Sequence, residues 1–196
     1  MGDAPLTPER ILEAAEEVLR RFGPAKTTVV DVAKALGVSH GSVYRHFTSK
    51  AALRDAVAER WLGRISAPLT AIAYSPEPAP ERLHRWLATL AETKQRLARE
   101  DPELFATYHS IAVGARGVVT AHVAMLAAQT SRIIADGISG GEFRAVDPAC
   151  YGRAILDATA RFHNPVHQAE WSDPEITTAF EAVWSLILDG LGPGVS

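Results

Sequence analysis

The sequence predicts an all-α fold of about nine helices, and three features of the chain support this. Ala, Leu, Glu and Arg, which favour helices, are frequent. Few segments alternate β-branched or aromatic residues with polar ones, as strands do. Helix-capping residues recur just before apolar residues with helical spacing. With 47% hydrophobic and 22% charged residues in a chain of 196, a packed core is feasible. We expect two domains, at residues 1–49 and 50–196.

The first helix is predicted to begin at Pro8, with Thr7 as its N-cap, and to end at Gly23-Pro24. Its inner face is expected to comprise Ile11, Ala15, Val18 and Phe22.

A second and a third helix are predicted between residues 28 and 47. The apolar face of the second comprises Val29, Val32, Ala33 and Leu36. Gly37 allows a left-handed turn, and Ser39 can cap the third helix. That helix would bury Val43 and Phe47 and leave its polar residues free. Two helices joined by a short turn with glycine form a helix-turn-helix unit, whose second helix lies in the major groove of DNA.

A fourth helix is predicted from Lys50, capped by Ser49 and kinked or ended by Pro68. Its inward residues are Leu53, Val57 and Trp61. The proline-rich residues 75–80 form a linker, and a helix follows at about 81–100. The apolar side of that helix comprises Leu83, Leu87, Leu90 and Leu97.

Cap-and-proline pairs mark the remaining helices. Asp101-Pro102 starts a helix that ends near Gly114, and a longer helix runs from about 118 to 138 before the Gly140-Gly141 turn. Asp147-Pro148 starts another, which Asn164-Pro165 ends. Residues 172–175 read as a capping box that opens the last helix.

The segment TVVDVAKALGVSHGSVYRHFTSK, residues 28–50, resembles the DNA-binding domain of the TetR family of bacterial transcriptional regulators. The resemblance extends over about 7–61, and its most specific part is Tyr44-x-x-Phe47 followed by Ser49, Lys50 and Leu53. It implies a dimeric, ligand-responsive regulator, most often a repressor that binds a palindromic operator and is released by a small molecule. It also implies a larger C-terminal helical domain for effector binding and dimerisation, and no enzymatic activity.

Charge is distributed unevenly along the chain. The net charge is −3, but residues 20–54 carry seven basic residues and one acidic residue, whereas residues 63–196 carry 11 basic and 15 acidic residues. A basic patch on an acidic body indicates contact with phosphate. The alternative is a solvated face that happens to be basic.

The third helix supplies most candidate DNA contacts. Arg45 suits the paired acceptors of guanine, with a purely surface role as the alternative, and Gly41 permits close approach of the backbone. Tyr44 and His46 suit phosphates, although Tyr44 alternatively covers the core and the histidines are alternatively solvated. The predicted DNA-binding residues are Thr27, Thr28, Ser39, His40, Gly41, Ser42, Tyr44, Arg45, His46 and Lys50.

Two further sets are predicted in the larger domain. The possible effector-pocket lining is Trp86, Phe105, Tyr108, His109, His122, Met125 and Phe162, with plain core as the alternative. The predicted dimer interface is Tyr151, Ile155, Phe162, Phe180, Trp184 and Ile187, with burial inside one chain as the alternative.

Several classes of function are disfavoured. Cys150 is the single cysteine, so a disulfide within the chain or a cysteine-based metal site is not expected, as suits the cytoplasm. His163 and His167 have metal-ligand spacing, but Pro165 breaks the helix between them, and neither metal nor cofactor is expected. No signal peptide and no membrane-spanning apolar run is expected. A helical enzyme or carrier, and an adaptor that binds only protein, remain the alternatives; common catalytic motifs are missing from the sequence.

Overall fold

The computed structural model describes residues 5–23 and 28–192, and over these ranges it is all-α. Within the described ranges there are ten α-helices and one 3₁₀ helix, where the sequence predicted nine helices. The α-helices are α1 (Pro8–Phe22), α2 (Val29–Ala35), α3 (His40–Tyr44), α4 (Lys50–Ala73), α5 (Ala79–Glu100), α6 (Pro102–Gly114), α7 (Arg116–Ser139), α8 (Pro148–Ala158), α9 (Ala160–His163) and α10 (Ile176–Leu191). The 3₁₀ helix spans Pro165–Ser172.

The helices form two compact units. The first unit comprises the described residues of Met1–Leu62 together with Asp101–Thr120. The second comprises Gly63–Glu100 and the described residues of Ala121–Ser196. Helices α4 and α7 therefore each contribute one end to each unit.

The predicted caps are present at most helix starts, because a side-chain oxygen there accepts a backbone N–H that the helix leaves unpaired. Thr7 Oγ1 accepts from Arg10 N at 3.3 Å, and Ser49 Oγ accepts from Ala52 N at 3.0 Å. Asp101 Oδ1 accepts from Leu104 N at 3.0 Å, and Asp147 Oδ1 accepts from Ala149 N at 2.9 Å. These bonds confirm the predicted starts of α1, α4, α6 and α8.

The core of the first unit is built from the apolar faces predicted for its helices. Ile11 of α1, Val32 of α2 and Val43 of α3 are completely buried, and Leu53 and Val57 of α4 are nearly so. The rings of Phe105 and Tyr108, on α6, pack against Trp61 with centroids 5.8 and 5.1 Å away. Burial of the α3 valine in this core determines which side of that short helix faces solvent.

The second unit is organised by α5 and α7, which run antiparallel. Arg82 forms an ion pair with Asp136 at 3.1 Å, and four residues further along α5 Trp86 Nε1 donates to Gln129 Oε1 at 2.9 Å. In the same direction, residue numbers therefore increase along α5 and decrease along α7. Gln129 Nε2 donates in turn to Thr70 Oγ1 of α4 at 3.0 Å, so the buried amide has partners on both sides.

Four expectations about helix ends are corrected. Pro68 does not end α4, which continues to Ala73, because the proline costs one backbone hydrogen bond and lies on the exposed side. Phe22 is 51% exposed rather than buried, with its ring against the Arg21 guanidinium at 5.2 Å. The helix expected after Asp147-Pro148 is interrupted at Thr159, and the predicted capping box is replaced by Glu175, which makes no side-chain cap.

One long apolar helix departs from the expectation about membrane-spanning runs. Among the described residues, α7 is long and apolar enough, by length and composition alone, to cross a bilayer. Core helices of soluble proteins meet the same criterion, and α7 places the hydrogen-bonded Gln129 and Thr130 in the interior of the second unit. This is weak evidence for a membrane span.

Helix α8 meets α7 so closely that one position requires glycine. A Cβ added at Gly152 would lie 2.7 Å from the backbone nitrogen of Ser131, and Thr130 Oγ1 donates to the Gly152 carbonyl at 3.0 Å. We predict that Gly152→Ala lowers the free energy of unfolding by about 1–3 kcal/mol, because the two helix backbones must separate. Chemical denaturation measures this change.

Gly63→Ala is the matched control, since Gly63 lies within α4 and an added Cβ meets no atom within 4 Å. Alanine there is expected to leave stability equal or raise it by about 0.5–1 kcal/mol. Equal losses at both positions would contradict the steric explanation.

Candidate functional site

Helix α3 presents a polar edge to solvent. Val43 is completely buried and Phe47 is half-buried, whereas the neighbouring polar residues are accessible. The exposed residues are Ser39, His40, Gly41, Tyr44, Arg45 and His46, and Ser42 is half-exposed. Tyr44 is 42% exposed and its ring meets that of His40 edge-on at 6.4 Å, so it does not close the core. The outward polar edge predicted from the sequence is therefore present.

A chain of hydrogen bonds positions the arginine of this edge. Ser39 Oγ accepts from Ser42 N at 3.2 Å, and the two hydroxyls are 2.9 Å apart. Arg45 Nη2 donates to Ser42 Oγ at 3.1 Å. The guanidinium is thus held on the exposed side of α3 with its other N–H groups directed away from this serine.

Gly41 is not required by the fold. An added Cβ would meet only Ser39 Oγ, at 3.7 Å, which is an ordinary contact. In contrast, Gly37 in the preceding turn has φ +67°, a conformation that favours glycine. Because Gly41 has no side chain, the surface of α3 is open at this position.

The start of α2 is already occupied by an internal partner. Asp31 Oδ2 accepts from Thr28 N at 2.9 Å and from Thr28 Oγ1, while Thr28 Oγ1 accepts from Asp31 N at 3.2 Å. These hydrogen bonds lower the pKa of the Asp31 carboxyl, so a negative charge already stands at this helix start, where Thr27 and Thr28 were predicted to contact DNA. Thr28 is a structural cap, and Thr27 lies outside the described residues.

Lys50 occupies the first position of α4 and is exposed. A cation at this end of a helix is electrostatically unfavourable, because the helix dipole is positive there. A phosphate bound nearby would be attracted both by the lysine and by the positive end of the helix dipole.

The predicted effector-pocket residues are divided between the two units. Phe105, Tyr108 and His109 belong to the first unit, where Phe105 and Tyr108 pack against Trp61. The members in the second unit are Trp86, His122, Met125 and Phe162. Trp86 and Phe162 are completely or almost completely buried.

A groove on the second unit lies between α5 and α10 and has a cavity volume of about 110 Å³. Two of its lining residues are in contact, since His84 Nε2 and Glu181 Oε1 are 3.1 Å apart. None of the predicted pocket residues lines this groove.

Lys94 is a buried residue that the sequence reasoning missed. It is only 7% exposed, and burial lowers its pKa to about 8. Burial, assisted by the charge of Lys94, lowers the pKa of His122 to about 4 and that of His163 to about 3. The sequence does indicate that this lysine is buried, since Lys94 follows Leu87 and Leu90 at helical spacing on the apolar side of its helix.

His163 and His167 have separate partners. His163 Nε2 lies 3.3 Å from Thr159 Oγ1, whose hydroxyl donates to the Ile155 carbonyl at 2.8 Å. His167 Nδ1 is 2.7 Å from Glu170 Oε1. Among the described residues no cluster of His, Cys, Asp and Glu side chains is suited to hold a metal ion.

The predicted dimer residues divide into two groups. Ile155, Phe162 and Phe180 are buried in the second unit itself, where the rings of Phe162 and Phe180 meet edge-on at 5.3 Å. Those three are therefore core residues, and the expectation that they face a partner needs correction. Tyr151, Trp184 and Ile187 remain half-exposed, and the neighbouring Leu186 is 72% exposed.

Two family models match the chain. The model described as "Bacterial regulatory proteins, tetR family" matches residues 11–57, which contain α2, α3 and the start of α4. The model described as "Tetracyclin repressor-like, C-terminal domain" matches residues 79–184, more than half of the chain.

Curated relatives match mainly over part of the chain. An uncharacterized HTH-type transcriptional regulator of Mycobacterium tuberculosis, Rv1255c, is 36% identical over 104 residues, which are 53% of this chain and 49% of the relative. The HTH-type transcriptional regulator TtgR of Pseudomonas putida is 40% identical over 57 residues, 29% of this chain and 27% of TtgR. The chain thus spans about half, or less, of the length of these relatives.

The fold extends over the whole chain in a solved structure. SmeT, the repressor of the Stenotrophomonas maltophilia multidrug efflux pump SmeDEF, superposes with a TM-score of 0.69 and 20% identity, covering 99% of this chain and 97% of SmeT. A complex of SmeT with triclosan gives a TM-score of 0.68 at 19% identity, covering 96% and 95%. The polar edge of α3, the two matching family models and this common fold together show that the chain belongs to the TetR family of bacterial regulatory proteins.

Proposed function

We propose that this protein is a cytoplasmic, ligand-responsive transcriptional regulator that binds a palindromic DNA operator as a dimer. We propose further that it is a repressor, which a small-molecule effector releases from the operator. The observation that carries the proposal is the orientation of α3, whose valine is buried while its polar residues face solvent. A family of regulatory proteins gives no support to the enzyme alternative.

The α3 edge has the chemistry for two kinds of DNA contact. Arg45 offers the forked donors that bond guanine O6 and N7 in the major groove. His40, Tyr44 and His46 can bond phosphate oxygens, which fix the register of the protein on the duplex. Gly41 lets the backbone of the helix approach the duplex closely, a role consistent with the open space around its Cα.

The charge distribution along the sequence favours contact of the N-terminal segment with phosphate. Residues 20–54 carry a balance of +6 within a chain of net charge −3. Binding through phosphates releases counterions, so the affinity for DNA is expected to fall steeply with salt. A protein-only adaptor predicts no such dependence.

Dimerisation is proposed through the outer face of α10. Ala179, Val183 and Leu186 recur at helical spacing and are half-exposed or exposed, and Gly190 continues the row. A second copy of this face can pack there, since small and apolar residues let two helices approach. Two copies of α3 then read two half-sites about 34–36 Å apart, or a multiple of that distance.

Release by an effector requires different affinities for two states of the dimer. A ligand that binds better when the α3 helices are wrongly spaced shifts the population away from the DNA-bound state. SmeT, a repressor of the same fold, has been solved with triclosan, which supports a small organic effector here.

The first prediction concerns Arg45. Arg45→Ala is expected to weaken binding to a duplex selected from a random library by roughly ten- to hundredfold, because a paired contact to guanine is lost. Binding to a scrambled duplex should change much less. Fluorescence anisotropy with both duplexes measures this, and Arg99→Ala, which removes an exposed arginine of α5, is the control. Equal losses on both duplexes would exclude base reading by Arg45.

The second prediction concerns Lys50. Lys50→Ala is expected to weaken binding to selected and scrambled duplexes alike and to reduce the slope of log affinity against log salt by about 1. The reason is that a phosphate contact carries no sequence information. A salt series with both duplexes checks this, and an unchanged slope would remove Lys50 from the interface.

The third prediction concerns the dimer. Leu186→Asp is expected to produce monomers, because a charge would be buried in the apolar helix pair. Sedimentation velocity measures the change, and Ser185→Asp, at the exposed neighbouring position, should leave the dimer intact. A dimer that survives Leu186→Asp would exclude this face of α10 from the interface.

A further inference from the structure

An unpaired lysine lies inside the second unit. Lys94 is on the buried side of α5, in helical register with Leu87, Leu90 and Ala98. Among the described residues no hydrogen bond or ion pair is found for its ammonium, and burial is the only resolved influence on its pKa. A carboxylate close enough to compensate the charge would have opposed that shift.

The register of the helices brings an imidazole to the level of this lysine. The hydrogen bond between Trp86 and Gln129 serves as the reference point for both helices. Measured from it, Lys94 lies eight residues, or about 12 Å, further along α5. His122 lies seven residues back along the antiparallel α7, or about 10.5 Å in the same direction. The charge of Lys94 accordingly lowers the pKa of His122. The Nε2 atom of His122 is itself buried without a hydrogen-bond partner.

A second imidazole approaches from α9. Gln95, the residue next to Lys94, donates from Nε2 to the carbonyl oxygen of Phe162 at 3.0 Å, which ties α5 to α9. His163 follows Phe162, and Lys94 lowers its pKa too. The three side chains thus form a cluster on three helices of one unit.

The charge of this cluster is one positive unit near neutral pH. Both histidines have a pKa of about 4 or below and are neutral, whereas Lys94, at about 8, is mostly protonated. A buried cation without a counter-ion is strongly unfavourable, and so is a buried imidazole nitrogen without a partner. A single anionic group placed between them satisfies both, and a dianion leaves one negative charge uncompensated.

We propose that the second unit binds a monocarboxylate with an apolar tail, with the ammonium of Lys94 as counter-ion and His122 Nε2–H as a hydrogen-bond donor. This inference rests on the proposed function, because the carboxylate is the effector of that regulator. The apolar tail would require space among the side chains of these helices, and the half-buried Met125 of α7, three residues from His122, has the flexibility to provide it.

The test compares carboxylates with alcohols of equal length. Isothermal titration of the full chain uses straight-chain carboxylates from butanoate to decanoate and the matching alcohols. At one or more lengths the carboxylate is expected to bind at least about tenfold more tightly than its alcohol, since it gains a charge-assisted hydrogen bond. Failure of every carboxylate to bind more tightly than its alcohol overturns the proposal, and this comparison needs no variant.

Lys94→Met assigns the preference to the lysine. Methionine has a similar length and no charge, so the preference for the carboxylate is expected to disappear while the alcohol still binds. Arg96→Met is the matched control: Arg96 lies on the exposed side of the same helix in an ion pair with Glu100, and its loss should keep the preference. A preference that survives Lys94→Met overturns the proposal.

The pH dependence gives an independent readout. The groups that face Lys94 are His122 from α7 and His163 from α9, and both are neutral throughout the range above pH 6. Affinity for the carboxylate should therefore fall above pH 8, by up to about tenfold per pH unit, as the lysine loses its proton. Affinity for the alcohol should stay constant, and a flat profile for the carboxylate overturns the proposal.

Carboxylate binding by the second unit and operator binding by the regulator can be tested independently. Ligand titration is carried out without DNA, whereas operator binding is measured without ligand. A protein that binds DNA with a steep salt slope but shows no carboxylate preference overturns the ligand assignment alone. A protein that prefers carboxylates but binds no duplex overturns the proposed function, while the binding site in the second unit stands.

Discussion

The burial of Val43 is the constraint on which the DNA-facing surface depends. Helix α3 has five residues, too few to be stable as an isolated helix, so it must be held by packing. Val43 supplies that anchor by being completely buried in the first unit. Because side chains follow a helical rotation, burial of this one position turns Tyr44, Arg45 and the preceding residues toward solvent. The caps at Thr28 and Ser39 then set where α2 and α3 begin.

The buried polar groups of the second unit are of two kinds, those with hydrogen-bond partners and those without. The buried Trp86 indole donates to the buried Gln129 amide, which donates in turn to the Thr70 hydroxyl, so burial of the indole and the amide costs little. His122 Nε2 is buried without a hydrogen-bond partner, and among the described residues no hydrogen bond or ion pair is found for Lys94, which is 7% exposed. Polar groups that are satisfied hold helices together, whereas unsatisfied ones point to a role that the isolated chain does not fulfil. That contrast within one unit is why the lysine cluster stands apart from ordinary core.

Sequence patterns predicted the local features of the fold well. Thr7, Ser49, Asp101 and Asp147 cap the helices they were expected to cap, and Gly37 takes the left-handed conformation expected for it. These features depend on a few adjacent residues and on backbone geometry that is the same in every protein. The sequence did not predict the helix interruption at Thr159. Its buried hydroxyl donates to the Ile155 carbonyl, and whether it does so depends on the surrounding packing.

Packing between distant segments of the chain distinguishes core residues from exposed residues that have equivalent spacing in the sequence. Ile155, Phe162 and Phe180 have the same helical spacing as Tyr151 and Trp184, yet the first three are buried within the unit and the others are half-exposed. Periodicity shows that a residue faces something apolar, but it does not distinguish the chain's own core from a partner.

The sequence by itself determined the helical class, the helix-turn-helix and the identity of its exposed residues, since these follow from local spacing and capping. Only the tertiary structure decided that Thr28 is engaged by Asp31, that the aromatic candidates belong to two units, and that the charge of Lys94 acts on the pKa of His122. The physical reason is that burial and electrostatic environment arise where distant segments meet, and the antiparallel register of α5 and α7 is not encoded in either helix alone.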